Sequence, residues 1–239
     1  MKRIFIIVFL HGTIAISFSA SAQVKSYVAL YGGISNPSGA YGSTDYNNNQ
    51  SGFAKRGITF AVDGAVYLYK NLGIGYTLSF QDQGKLNYND TYNLATGYTT
   101  SYNADQASID AYDRFHSINL LIGPQYSFTY HSFILDLRAF GGVVDVSSTP
   151  ETKITLSGIP EQVAPFYQRR SHGTSFGYGA SGGLRYKLGD SWTIGIKGAY
   201  ISSDGTSVTT EGRVFTEGRV VTKLPIREFQ TTFGFSLSF

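Results

Sequence analysis

Glu228-Phe229-Gln230-Thr231-Thr232-Phe233-Gly234-Phe235-Ser236-Leu237-Ser238-Phe239 alternates polar and apolar residues and ends on an aromatic side chain. A period of two is that of a β-strand with one oily face. Phe229, Phe233, Phe235, Leu237 and Phe239 share that face, interrupted only by Thr231, while Glu228, Gln230, Thr232, Gly234, Ser236 and Ser238 share the other. A terminal strand of this kind needs a neighbour that satisfies its edge. A closed transmembrane barrel supplies one for every strand.

Working back from the terminus, seven further segments alternate in the same way. Lys25 to Ile34 is the first, with Val28 and Leu30 expected to face out. Arg56 to Tyr69 sends Ile58, Phe60, Val62, Val66 and Leu68 to one side and Asp63 to the other. Lys70-Asn71 is a tight turn into a third segment with Leu72, Ile74, Tyr76, Leu78 and Phe80 outward. Arg114 to Phe128 and a fifth strand beginning at Phe133 flank a short turn at Thr129 to His131. Segments six and seven centre on Phe176 to Leu188 and Trp192 to Tyr200, joined at Gly189-Asp190. The connections are short and long in turn, which predicts an all-β, eight-stranded antiparallel up-and-down transmembrane β-barrel.

The placement of charge decides between a barrel in lipid and a soluble sandwich or lipocalin-like barrel. Asp63, Asp136, Arg138, Arg185, Lys187, Lys197 and Glu228 all have the parity opposite to the oily face. A charge at the lipid midplane costs about 2 to 4 kcal/mol in such barrels. Aromatic residues gather near the short turns, at Tyr126, Phe128, Phe133, Tyr186, Trp192 and Phe239, as an interfacial girdle requires. Pro124 breaks the pattern because it cannot donate to a ladder, and it predicts a bulge near the periplasmic rim.

The chain start sets the compartment. Lys2 and Arg3 precede two apolar runs, Ile4 to Leu10 and Ile14 to Phe18, followed by Ser19-Ala20-Ser21-Ala22. This is expected to be a signal peptide over 1–22, cut before Gln23, leaving 23–239 as one barrel domain. Loss of Lys2 and Arg3 takes the formal charge from +3 to +1. Charge therefore gives no reason to expect a nucleic-acid partner. The absence of Cys removes disulfide frameworks and thiolate metal sites.

With these features in place, the chain resembles the small outer-membrane barrels of Gram-negative bacteria, the OmpA/OmpX-like group. Leu120-Leu121-Ile122-Gly123-Pro124-Gln125-Tyr126 looks like a strand common in that broad domain family. The segment Phe235-Ser236-Leu237-Ser238-Phe239 is similar to the assembly signal read by the barrel-assembly machinery, with Phe235, Leu237 and Phe239 as its apolar residues. The resemblance implies a bacterial outer-membrane location, with outer-membrane lipid and lipopolysaccharide as surroundings. It transfers no catalytic residue, and no peptidoglycan-binding domain is expected beyond the last strand.

Candidate chemistry lies in the lumen and the loops. An eight-stranded barrel is just wide enough inside for side chains to fill. Arg138, Arg185 and Lys197 are expected to meet Asp63, Asp136 and Glu228 as a plugging charge network, given room by Gly177, Gly179 and Gly183. A narrow wet path gated by the same pairs is the alternative, and it would make the protein a small porin-like channel. A third reading, a lipid A-modifying enzyme, would need His116 or His172. His116 and Ser117, however, point to opposite faces of a strand, which is wrong for a nucleophile and its base. No catalytic residue, cofactor or metal is indicated.

Tyr88, Tyr92, Tyr98 and Tyr102 sit among Asn, Thr and Ser in the second long loop and suit adaptable contact with an extracellular ligand; a hydrated cover is the plainer reading. Arg169-Arg170 in the third loop is positioned either to meet lipopolysaccharide phosphates or to remain a solvated pair. The fourth loop repeats Thr210-Glu211-Gly212-Arg213-Val214 as Thr216-Glu217-Gly218-Arg219-Val220, as a protruding hairpin or a disordered tip would. These features together predict a non-enzymatic surface scaffold with long extracellular loops.

Overall fold

A computed structural model describes residues 24–159, 166–208, 210–211 and 223–239. The expected signal peptide, Pro160, Pro165 and most of the fourth-loop repeat lie outside the described residues. In chain order the first half forms β1 (Tyr27–Pro37), a helical turn α1 (Gly39–Gly42), β2 (Gly57–Tyr69), β3 (Leu72–Gln83), α2 (Tyr88–Tyr102), β4 (Gln106–Tyr112) and β5 (Phe115–Tyr130). The second half forms β6 (Phe133–Ser148), β7 (Glu151–Ser157), β8 (Phe166–Gln168), β9 (Gly173–Lys187), β10 (Trp192–Thr206), β11 (Thr210–Glu211) and β12 (Leu224–Ser238).

Eight of these strands close on themselves in the order β1-β12-β10-β9-β6-β5-β3-β2, every pair antiparallel. The terminal alternating stretch closes the ring: β12 runs beside β1 from Tyr27↔Ser238 to Pro37↔Glu228. The turns are short at one end, where Lys70 and His131 take left-handed φ values of 49° and 53° to reverse the chain. β6 begins at Phe133 as expected, but β5 runs on to Tyr130, so the turn between them is His131 and Ser132 rather than Thr129 to His131.

The bulge expected at Pro124 is not formed. Pairing of β5 with β6 holds one register through Ile122↔Gly141 and Gln125↔Arg138, and the only shift in that pair falls between His116 and Ser117, at the loop end. The missing donor is absorbed by a lapse in pairing at Gly123 and Pro124. On the other side Pro124 stays opposite Ile74 of β3.

At the loop end the long connections build a second body. β4, β7, β8 and β11 form a four-stranded sheet in the order β11-β8-β7-β4. The second loop, read as irregular in the sequence, contains the 15-residue helix α2. Its start is a capping box in which the Asn87 side chain accepts from the Asp90 N–H and the Asp90 carboxylate accepts from the Asn87 N–H. It ends at Asn103 with φ 50°, ψ 43°, a left-handed C-cap. The fourth loop does not simply prolong its flanking strands, because β11 turns aside to pair with β8.

Candidate functional site

The lower lumen is filled by two joined ion-pair clusters whose members come from separate strands. Asp63 on β2 is 1% exposed and faces Arg138 on β6. Arg138 Nη1 donates to Asp63 Oδ2 at 2.9 Å and Nη2 to Oδ1 at 3.2 Å, the forked geometry that a guanidinium offers a carboxylate. Lys197 from β10 donates to the same Oδ2, and Thr77 Oγ1 reaches it at 2.5 Å. The remaining Arg138 donors find Gln125 Oε1, Tyr76 O and Gly64 O. Two residues from Arg138 along β6, toward the short turns, Asp136 Oδ2 accepts from Arg185 Nε at 2.6 Å, and the Arg185 guanidinium lies 3.7 Å from the Tyr27 ring centroid, a cation–π contact. Ser127 Oγ donates to Asp136 Oδ1 at 2.5 Å, and Gln125 Nε2 to Tyr67 Oη at 2.8 Å, which binds the two clusters together.

Glu228 stands apart from these cations. It is 1% exposed and accepts from Ser35 Oγ, Gln83 Nε2 and Gln230 Nε2 at 2.7, 2.7 and 2.8 Å, with Asn119 Nδ2 at 3.4 Å. Its place on β12 is opposite Pro37, toward the loops, whereas Lys197 is opposite Thr232 on the same strand. This offset of four positions along the strand keeps Glu228 from the ion pairs, and neutral donors hold it instead. The five lower groups therefore carry formal charges that sum to +1, and Glu228 stands at a different height.

Of the three glycines expected to make room, Gly183 lies beside Lys197 in the charged cluster, whereas Gly177 and Gly179 do not. A Cβ on Gly177 would lie 2.5 Å from Val144 Cγ2, and one on Gly179 would lie 1.9 Å from the Tyr200 carbonyl oxygen and 2.9 Å from Phe140 Cε2. The arginines are accommodated by Gly75, where a Cβ would lie 2.2 Å from Arg138 Nε, and by Gly195, where it would lie 2.9 Å from Arg185 Cγ. Beside the polar groups, Leu121, Phe140, Val144, Val146 and Ile201 form an apolar cluster within the lumen. Tyr41 of α1 closes it from above, its ring 5.3 Å from that of Phe115. Burial, with the Glu228 carboxylate adding to it, pushes the Tyr41 hydroxyl up from its ordinary range. Among the described residues, cavities of about 10 Å³ lie beside Lys197, one lined also by Asp63 and Arg138 and one by Leu121, Phe140 and Ile201. Each is the size of about one water.

The loop body has its own core. Phe53, Leu94, Tyr98, Ile154 and Phe166 are buried together, with Tyr46 and Tyr102 packed against them. Of the four second-loop tyrosines, Tyr98 and Tyr102 are thus core residues, and Tyr88 and Tyr92 are exposed, their rings 6.4 Å apart. Leu94, Tyr98 and Tyr102 recur every four residues, a helical signal present in the sequence but hidden by the Asn and Thr around it. Lys55 ties the first loop to the helix start through Asp90 at 2.5 Å. Arg170 lies 3.8 Å from Asp113. Outside the barrel, His116 Nε2 is 3.5 Å from Asp82, and Ser117 Oγ donates inward to Gln81 Oε1 at 2.7 Å, so the two side chains are on opposite sides of the wall.

The outer wall is the reverse of the lumen. Leu30, Phe60, Ile74, Leu120, Leu137, Phe176, Ile196 and Phe233 are exposed around the ring. Among the described residues, the charged side chains of outward parity on the barrel strands sit at the loop end, at Asp82, His116, Asp145, Asp204 and Arg227. Tyr126, Phe128, Phe133, Tyr186 and Trp192 mark the opposite rim. Lipid is the solvent that such an exterior fits. The chain is a transmembrane β-barrel. No helix among the described residues is long and apolar enough to cross a membrane.

No family model and no curated protein sequence matches the chain. Similar solved structures include Neisserial surface protein A, at 15% identity over 90% of this chain and 97% of that one, with a TM-score of 0.45. Ail, the attachment invasion locus protein of Yersinia pestis, is 11% identical over 91% of this chain and 100% of its own, TM-score 0.45. The N-terminal β-barrel domain of Pseudomonas aeruginosa OprF is 10% identical over 92% and 100%, TM-score 0.37.

Proposed function

We propose that the protein is a non-enzymatic surface scaffold, a sealed barrel that holds a folded extracellular body in position for an envelope or host ligand. The carrying observation is that three loops, which would be independent covers on a simple pore, share one core built from Phe53, Tyr98, Ile154 and Phe166. Order of that kind fixes the surface it presents. Tyr88, Tyr92 and Tyr112 are the aromatic residues exposed on it, and rigid tyrosines give large contact area with little entropy to lose on binding. A sugar ring or an extended protein segment is the class of ligand that such faces accept. The lumen side chains support the same reading, since they fill the interior rather than line a path.

Binding of the detergent-purified protein to a glycan array and to host-cell surfaces tests the proposal, with Tyr88→Ser/Tyr92→Ser as the comparison. Retained ligand that falls roughly tenfold in the double variant is expected. Equal retention would remove these tyrosines from the surface that binds. On this reading Phe235, Leu237 and Phe239 serve recognition by the assembly machinery before the barrel closes. Their outward-facing row on β12 is exposed and available to such a reader.

A further inference from the structure

Just below the loop-end rim, the outer wall is not smooth. Leu30, Phe60, Val62, Leu78, Phe80 and Ile118 surround an apolar groove of about 550 Å³ whose floor is the strand backbone at Ala61 and Ser79, whose side chains face the lumen. Gly32, opposite Phe60 on β1, helps to open it: it shares the outward face with Leu30, and a Cβ there would meet only the Phe60 ring, at 3.5 Å. Directly above, two residues further along the same faces of β3 and β5, are Asp82 and His116, paired with each other across the ladder. Two residues are about 7 Å of strand.

Cationic side chains stand over this groove. Arg114 Nη1 donates to Asp82 Oδ2 at 2.8 Å, and its side chain remains 42% exposed. Arg56 continues the outward row of Ile58 and Phe60, is exposed, and uses only its Nε, toward Asn36 Oδ1 at 2.7 Å, among the hydrogen bonds described. The guanidinium ends of both residues thus face the interface with donors to spare, against the one carboxylate of Asp82. An apolar trough in the bilayer, roofed by two arginines at headgroup height, has the chemistry of a single lipid with an anionic head.

We infer that this is a specific site for a phosphorylated glycolipid of the outer leaflet, with an acyl chain in the groove and a phosphate bridging Arg56 and Arg114. Guanidinium groups bind phosphate through paired charge-assisted hydrogen bonds, which distinguishes this lipid from a neutral one of the same chain length. The site depends on the barrel's seat in the bilayer and not on the ligand surface of the loop body, so the two stand or fall separately.

Native mass spectrometry of the full-length protein purified in detergent, titrated with bisphosphorylated lipid A and with its dephosphorylated form, tests the assignment. One lipid A should be retained by the parent protein, with roughly tenfold weaker retention of the dephosphorylated lipid and a similar loss in Arg56→Ser/Arg114→Ser. Gly32→Leu, which fills the groove and leaves both arginines in place, should weaken retention as well. Circular dichroism and heat-modifiable electrophoretic mobility show that each variant is folded. Retention that ignores the phosphates, or that survives both variants unchanged, would overturn the site.

Discussion

Asp63 serves two cations, Arg138 and Lys197, and this makes it the residue on which the lower lumen turns. Removing one partner of a buried pair leaves an uncompensated charge and costs about 3 to 5 kcal/mol. Asp63→Asn strands two cations at once and should destabilise the barrel more than Arg138→Ala, after which Asp63 keeps Lys197. Guanidinium unfolding in micelles measures both; an Asp63→Asn barrel as stable as the parent would show that the pairs contribute little. Gly75→Ala tests the same cluster without touching a charge. The guanidinium it displaces is held by Asp63, Gln125, Tyr76 O and Gly64 O, so a loss of about 1 to 3 kcal/mol is expected in the same unfolding assay. The parity of each charged residue was legible in the sequence, because one residue of slip turns a side chain from lumen to lipid. Which partner each would meet was not. That depends on the height of each residue around the ring, set by the strand stagger, and it is why Glu228 ends among amides and hydroxyls.

At the scale of elements, the period of two marked the barrel strands but gave no hint that the lumen has an apolar side. Leu121, Phe140, Val144 and Ile201 have inward parity, in rows that also hold Ser117, Asn119, Asp136, Arg138 and Lys197. Helix α2 was missed for a different reason. Asn, Thr and Gly are poor helix formers, and here the capping box and the packing of Leu94 and Tyr98 outweigh their propensity. The dependence on packing yields a local prediction. A Cβ at Gly97 would lie 2.2 Å from Cγ of the Tyr46 ring, so Gly97→Ala should drive the first loop off the helix. Hydrogen exchange and limited proteolysis should then speed up in the loop body and leave the barrel strands unchanged. Uniform protection in both would mean that the first loop is not part of that body.

For the whole molecule, an apolar outside and a filled inside together define an anchor. Outward charges are confined to the loop end of the described barrel strands, so a cation placed between the two rims should be tolerated poorly. Leu137→Arg puts one there and should reduce the stability of the refolded barrel by about 2 to 4 kcal/mol in vesicle unfolding titrations, whereas a neutral effect would argue against a lipid-facing belt. Inside, the ion pairs, the apolar cluster and the Tyr41 lid fill the lumen, and among the described residues spaces of about 10 Å³ lie on either side of Lys197, a filling that predicts a sealed interior. Single-channel recording of the protein in a planar bilayer is the direct test of this seal. A folded barrel that inserts and shows no discrete current steps is the predicted result; reproducible steps in the parent protein, altered by Arg138→Ala, would contradict it and make the lumen charges a gate.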